Sequence, residues 1–195
     1  MSTLHSEQKI CIIGGFTEGN HHATKFVRLL REAGFGITKR AEVADIIVTH
    51  SGGYLFLPDD LSTKTVVMVA PPCGYQSSKF NLFWRNWRID FRAHYTTGAL
   101  GVFWRKDLYN FWYFITKPGY NYRIVRGVAR FRFKLLRTHA KKTIVITNRD
   151  DLWTRHIPER ALQEEPAYTF IGLVGAHDDL WLNPERYVAI LKACL

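Results

Sequence analysis

Residues 44–53 read ADIIVTHSGG, and this stretch decides how the chain is expected to fold. The apolar run Ala44–Thr49 is rich in β-branched residues and predicts a buried strand. It leads directly into His50-Ser51-Gly52-Gly53, where small residues allow a tight turn. The pattern therefore predicts a central strand that presents Ser51 on a sharp turn at its carboxyl end.

Segments on either side of this stretch extend the same pattern. Amphipathic helices are predicted at Ala23–Ala33, before Gly34, and at Glu185–Ala193, after Asn183-Pro184. Strands that alternate with such helices are typical of an α/β fold with a mostly parallel central sheet flanked by helices. The further predicted strands are Lys9–Gly15, Thr65–Ala70, Thr143–Thr147 and Tyr168–Val174.

The composition indicates one domain over residues 1–195. With 195 residues, 47% of them hydrophobic, the chain can bury a sizeable core, which excludes wholesale disorder. Its three cysteines are too few for a disulfide framework or a CxxC metal site. We expect no metal and no organic cofactor. A signal sequence and a stretch of roughly 20 apolar residues are both lacking, so a cytoplasmic location is expected.

One segment departs from this ordinary body. Residues 79–142 hold 15 of the 27 Lys and Arg residues, two acids and 17 of the 28 aromatic residues, a net charge of +13 against −3 elsewhere. The segment is predicted to be an inserted basic–aromatic cap at about residues 75–142. Within it, five aromatic residues at helical spacing share one face: Phe80, Phe83, Trp84, Trp87 and Phe91.

The ends of three predicted strands carry a serine, an acid and a histidine, in that chain order. They are Ser51, Asp150 and His177. In open parallel sheets, ligands gather beyond the carboxyl ends of the strands, so these side chains are expected to converge. The neighbouring Asp151 is an alternative acid that the pattern does not separate from Asp150. The position directly after the strand-end turn favours Asp150.

These motifs resemble the α/β-hydrolase fold, and most of all its compact serine hydrolases. The shared features are strand–HSGG–helix, strand–xxDD and strand–GxHDD–helix, and they cover Lys9–Pro72 and Thr143–Leu195. The resemblance implies that Ser51 is the nucleophile and His177 the general base. It also implies that Asp150 is the carboxylate that orients His177.

The same resemblance implies an oxyanion hole, and an aromatic cap over such a site would most simply form an apolar acyl pocket. The backbone N–H groups of Gly52 and Phe16 are expected to hold the oxyanion, aided by the start of the helix behind Gly52. Gly15, Trp84 and Trp87 are expected to contact the substrate, an ester with an apolar acyl group.

The predicted function is therefore a serine hydrolase of the esterase, lipase or thioesterase type, which cleaves a carboxylic ester or else a thioester or amide. The alternative is a catalytically retired scaffold that binds anionic membrane or nucleic acid through the insert. For the insert itself, three interpretations compete: simple packing, peripheral contact with anionic lipid, and nucleic-acid binding. No recognised motif supports nucleic acid, which is the less favoured partner.

Overall fold

A computed structural model describes residues 8–15, 23–72, 80–130, 140–154 and 168–195. Within these ranges the chain forms a six-stranded sheet in which every pair of neighbouring strands is parallel. The predicted parallel sheet is confirmed. In chain order the strands are β1 (Lys9–Ile13), β2 (Gly36–Thr38), β3 (Ile46–His50), β4 (Thr65–Val69), β5 (Lys142–Asn148) and β6 (Tyr168–Leu173). In space their order is β2-β1-β3-β4-β5-β6.

Helices connect these strands, and the two helices predicted in the body are confirmed. Two short 3₁₀ helices cover Ala41–Val43 and Ser51–Phe56. The α-helices are α1 (Thr24–Glu32), α2 (Phe80–Thr96), α3 (Leu100–Thr116), α4 (Pro118–Arg130), α5 (Asp179–Leu182) and α6 (Pro184–Cys194).

The sheet is covered on both faces, which explains why its central strands are apolar without alternation. All five residues of β3 are buried. On one face, Phe26 of α1 and Leu191 of α6 belong to the main hydrophobic cluster. On the other face, Tyr54 and Leu61, from the segment after β3, belong to a second cluster. The sheet is therefore a fixed platform for the loops at its carboxyl edge.

The strand order reverses between β1 and β3, and the loops that follow these two strands meet there. Such a switch point is the usual ligand-binding crevice of an open parallel sheet. A methyl group on Gly15 would lie 2.6 Å from the Gly52 nitrogen, and one on Gly53 would lie 2.2 Å from the Ile13 oxygen. Glycine is required at both positions because the backbones touch. The switch point thus presses the loop after β1 against Ser51.

Helices α2, α3 and α4 form the described part of the insert, and we call them the insert helices. Residues 75–79 and 131–139 of the predicted insert lie outside the described ranges. Helix α4 begins at Pro118, which suits the first turn of a helix. It passes over Gly52, whose Cβ would lie 3.5 Å from Ile124 Cγ2. None of the helices in the described ranges is long and apolar enough to cross a membrane.

The side of α2 that is buried differs from the apolar side that the sequence predicts. The buried side of α2 is a polar stripe of Asn86, Asp90 and His94. On the predicted apolar face, Phe83 and Trp84 are about half exposed. Simple packing of this face on the body would bury both side chains; they are only about half buried, and Phe83 stacks on Trp153 of the loop after β5. Trp87 and Phe91 pack instead on Phe103 of α3, and the Phe80 side chain lies outside the described residues.

Candidate active site

Ser51 occupies a strained turn directly after β3. Its φ is +52°, in the left-handed region that side chains other than glycine rarely adopt. Such strain persists only where the surroundings enforce it, and here the close contacts of Gly15 and Gly53 do so. The helix expected behind Gly52 is only a 3₁₀ helix, which ends at Phe56, shortly before Pro58.

His177 pairs with a buried carboxylate. Its Nδ1 lies 2.6 Å from Oδ2 of Asp151, whose side chain is fully buried. Two groups from the same loop complete the contacts of this carboxylate: the Trp153 backbone N–H, at 2.9 Å, and the Thr154 hydroxyl, at 3.1 Å. Because Nδ1 donates its proton to Asp151, Nε2 is left as the free basic nitrogen of the neutral ring.

The acid beside His177 is thus Asp151, which corrects the preference for Asp150. Strand β5 ends at Asn148, one residue later than the predicted Thr147. The extra residue shifts the turn, so the Asp150 side chain is exposed and its backbone N–H donates to Gly175. In the turn after Asn148, the Asp151 carboxylate is buried and the Asp150 carboxylate faces solvent.

The main chain of His177 is also held on both sides. Its N–H donates to Oδ1 of Asp90, on α2, at 3.0 Å. Its carbonyl accepts a hydrogen bond from Nε2 of His50, at 2.9 Å. The His50 and His177 rings lie 5.1 Å apart, and His50 directly precedes Ser51. His177 is therefore fixed from the β5 loop, from α2 and from the end of β3.

A buried charge cluster adjoins this histidine, and we define it as Asp90, His94, Lys106 and Asp178. The Lys106 ammonium pairs with the Asp178 carboxylate. His94 Nε2 lies 3.8 Å from the same carboxylate, and its Nδ1 donates to the Asp90 carbonyl at 2.8 Å. The cluster joins α2 and α3 to the loop after β6. It therefore links the insert helices to the loop that carries His177.

These neighbours determine the protonation states. Burial alone would lower the pKa of His177, but the Asp151 carboxylate, with Asp90 and Asp178, raises it to about 9. Burial, reinforced by the Asp178 charge, raises the pKa of Asp90 to about 8. Burial would also raise the pKa of Asp178, but Lys106 holds it well below its usual range. Burial thus favours the neutral form of Asp90, whereas the neighbouring charges favour the ionised form of Asp178 and the protonated form of His177.

The predicted substrate residues fall in different places. Gly15 lies against the Ser51 turn. Trp84 contacts the Trp87 ring, and the indole N–H of Trp87 donates to Asp107 at 2.6 Å within the α2–α3 interface. Phe16 lies outside the described residues. Trp87 is thus part of the packing between α2 and α3, and Trp84 lies about half exposed beside it on α2.

A different tryptophan, Trp153, contacts the ring of His177, the candidate general base. Trp153 meets His177 edge to face, with ring centroids 4.7 Å apart, and stacks against Phe83 at 6.2 Å. Sequence reasoning missed Trp153, as it missed the roles of His50 and Asp90. A signal for Asp90 did exist, since Asn86, Asp90 and His94 recur every four residues of one helix.

The candidate site consists of organic side chains and backbone groups. In the part of the chain that the structure describes, no group of three or more His, Cys, Asp or Glu side chains is arranged to bind a metal ion. The strained Ser51, His177 with its free Nε2 and the buried Asp151 carboxylate are groups of the kind that support nucleophilic acyl transfer.

The order of the sheet and the solved structures of similar shape show the α/β-hydrolase fold, as the sequence predicted. No protein-family model matches the sequence, and no curated protein matches it. Solved structures do match in shape. An esterase from Rhodococcus sp. has a TM-score of 0.58 at 15% identity, over 96% of this chain and 90% of that one.

Two further structures show the same likeness. A carboxylesterase from the thaumarchaeon Nitrososphaera gargenis has a TM-score of 0.61 at 14% identity, over 96% of this chain and 89% of that one. The proline iminopeptidase of Mycobacterium smegmatis has a TM-score of 0.60 at 10% identity, over 95% of this chain and 88% of that one. At these identities the likeness establishes the fold and leaves the chemistry to be argued from the site.

Proposed function

We propose that the protein is a serine hydrolase that cleaves a carboxylic ester. Ser51 is the nucleophile, His177 the general base and Asp151 the carboxylate that orients it. The observation that carries the proposal is the 2.6 Å pair of His177 and Asp151, together with the hydrogen bond from His50, the residue before the strained Ser51, to the His177 carbonyl. The names of the structural neighbours, two esterases and an iminopeptidase, support hydrolysis at a carbonyl carbon.

The proposed reaction begins with loss of the extra proton from the His177 imidazolium. Neutral Nε2 then takes the proton of the Ser51 hydroxyl while Oγ attacks the ester carbonyl. The backbone N–H of Gly52 donates to the oxyanion of the tetrahedral intermediate. Collapse expels the alcohol, which takes the proton from Nε2, and water hydrolyses the acyl-enzyme by the same sequence. A thioester or amide would follow the same course with another leaving group.

A fluorophosphonate probe tests this proposal. We expect covalent labelling at about pH 9, where His177 loses its extra proton, and peptide mapping should locate the label on Ser51. Labelling should disappear in Ser51→Ala and persist in Ser62→Ala, which removes another hydroxyl from an exposed turn. A folded protein that stays unlabelled at pH 7 and pH 9 would instead indicate a retired scaffold.

The acyl group of the substrate is proposed to be apolar. Phe83 and Trp153 place two aromatic rings in line with His177, which favours an aliphatic or aromatic chain over a charged one. A panel of p-nitrophenyl esters of increasing chain length tests this proposal. Trp153→Ala should alter the chain-length preference more than Trp87→Ala. An equal effect of both variants would restore Trp87 as a substrate contact.

A further inference from the structure

The outer face of α3 is a stripe of large apolar side chains. Successive members stand three or four residues apart or adjacent along the helix, so they share one side of it. Each is between 49 and 68% exposed. The opposite side of α3 carries the buried Phe103 and the paired Lys106. The α3 stripe consists of Trp104, Leu108, Phe111, Trp112 and Ile115.

The charges around this stripe have one sign. In the described residues of the insert, 80–130, the acids are Asp90, which is buried, and Asp107, which accepts the Trp87 indole N–H. Both carboxylates are thus turned away from the outer surface. The exposed cations are Arg85, Arg88, Arg92, Arg105, Lys117, Arg123, Arg126 and Arg130.

We propose that the insert helices bind the surface of an anionic lipid bilayer, with α3 lying in the plane of the headgroups. Tryptophan and aliphatic side chains would enter the boundary between headgroups and acyl chains, and the surrounding arginines would contact lipid phosphates and carboxylates. The proposal is independent of the hydrolase reaction, since none of the stripe residues has a role in it.

Other occupants fit this surface less well. A second copy of the chain would bring two cationic faces together, with repulsion and without a compensating acid. Nucleic acid matches the positive charge, and aromatic rings can stack on its bases. However, Leu108 and Ile115 have no planar face to stack, and they lie in the middle and at the end of the stripe. A lipid surface accepts aliphatic and aromatic side chains alike.

Sedimentation with vesicles tests the proposal. We expect binding to phosphatidylcholine vesicles that contain about 30% phosphatidylserine, weak binding to phosphatidylcholine alone, and loss of binding at high salt. The paired change Phe111→Ser and Trp112→Ser should weaken binding at least about tenfold. Val174→Ser, which removes an exposed apolar side chain from the body, is the matched control and should bind like the wild type.

Charge is tested in the same assay. Arg123→Glu with Arg126→Glu should weaken binding by roughly fivefold or more for each residue, whereas Arg31→Glu on α1 should have little effect. Equal binding to the two vesicle types, or unchanged binding by the stripe variant, would overturn the proposal. So would complete competition by an oligonucleotide.

A measurement on the unmodified protein guards against variants that fail to fold. Lipids brominated on their acyl chains should quench tryptophan fluorescence when the wild type binds anionic vesicles, because Trp104 and Trp112 would lie near the chains. Vesicle binding without quenching would place the contact elsewhere and contradict the proposed orientation of α3.

Discussion

The body of the protein and its insert helices differ in where their apolar residues lie: the body buries them, and the insert helices expose many of them. In the body, the apolar residues of the strands face the two hydrophobic clusters, and α1 buries Phe26 and Leu30 against the sheet. In the insert, α2 buries a polar stripe and α3 exposes an apolar one. The period of a helix shows which residues share a side, but the segment against which the helix packs decides which side is buried. For α2 the partner is the main chain of the His177 loop.

The largest expected effect concerns the site in the body. Asp151→Asn should leave the His177 ring poorly oriented and lower kcat/KM for a short acyl ester by up to about ten-thousand-fold. Asp150→Asn should change kcat/KM little, because that side chain is exposed. Steady-state hydrolysis of p-nitrophenyl acetate measures both variants. A larger loss in the Asp150 variant would contradict the assignment.

The next prediction compares the stability lost when a buried ion pair and a surface ion pair are broken. Lys106→Met should leave Asp178 as an uncompensated buried charge and destabilise the fold by about 3–5 kcal/mol. Lys25→Met breaks an exposed ion pair with Glu185, in which Nζ and Oε1 lie 2.7 Å apart, and should cost under about 1 kcal/mol. Urea unfolding measures both values.

A double variant tests the cause of that loss. Lys106→Met combined with Asp178→Asn removes both charges, so much of the lost stability should return. If the double variant is as unstable as the two single variants added together, the two residues act separately. The cluster would then not join the insert to the body.

A third comparison uses two glycines. Gly53→Ala should destabilise by about 1–3 kcal/mol, because its methyl group would overlap the Ile13 oxygen at the switch point. Gly101→Ala, on α3, meets nothing within 4 Å and should stabilise by about 0.5–1 kcal/mol through its helix propensity. Thermal unfolding distinguishes the two. Opposite signs are expected, and equal losses would refute the close packing at the turn.

The smallest effect is a shift in a pH profile. Since Nε2 of His177 must be neutral to act as a base, kcat/KM should rise with pH and level off above about 9. Asp90→Asn keeps an oxygen to accept the His177 N–H but removes a negative charge that raises the pKa of His177. The midpoint should therefore move to lower pH. An unchanged midpoint with a lower plateau would show that Asp90 acts on structure alone.

Much of the body could be predicted because short stretches of sequence define its strands and the residues at their ends. Apolar runs marked the strands, and Ser51 and His177 stood at strand ends that a parallel sheet brings together. The acid was misassigned because β5 continues to Asn148, and one residue is beyond what an apolar run can define. The inward side of α2 was missed because Asp90 and His177, its partner, are 87 residues apart in the chain.

The hydrogen bond between the His177 N–H and Asp90 has a consequence for how such a chain can diverge. A lid that only covers a site can be replaced during evolution, so that the range of substrates changes while the catalytic side chains keep their positions. Here an exchanged insert would withdraw the acceptors of two backbone N–H groups, those of His177 and Leu152, from beneath the reactive histidine. Substrate selectivity and catalytic activity therefore depend on the same segment. A descendant with a new insert must also form new hydrogen bonds that position its general base.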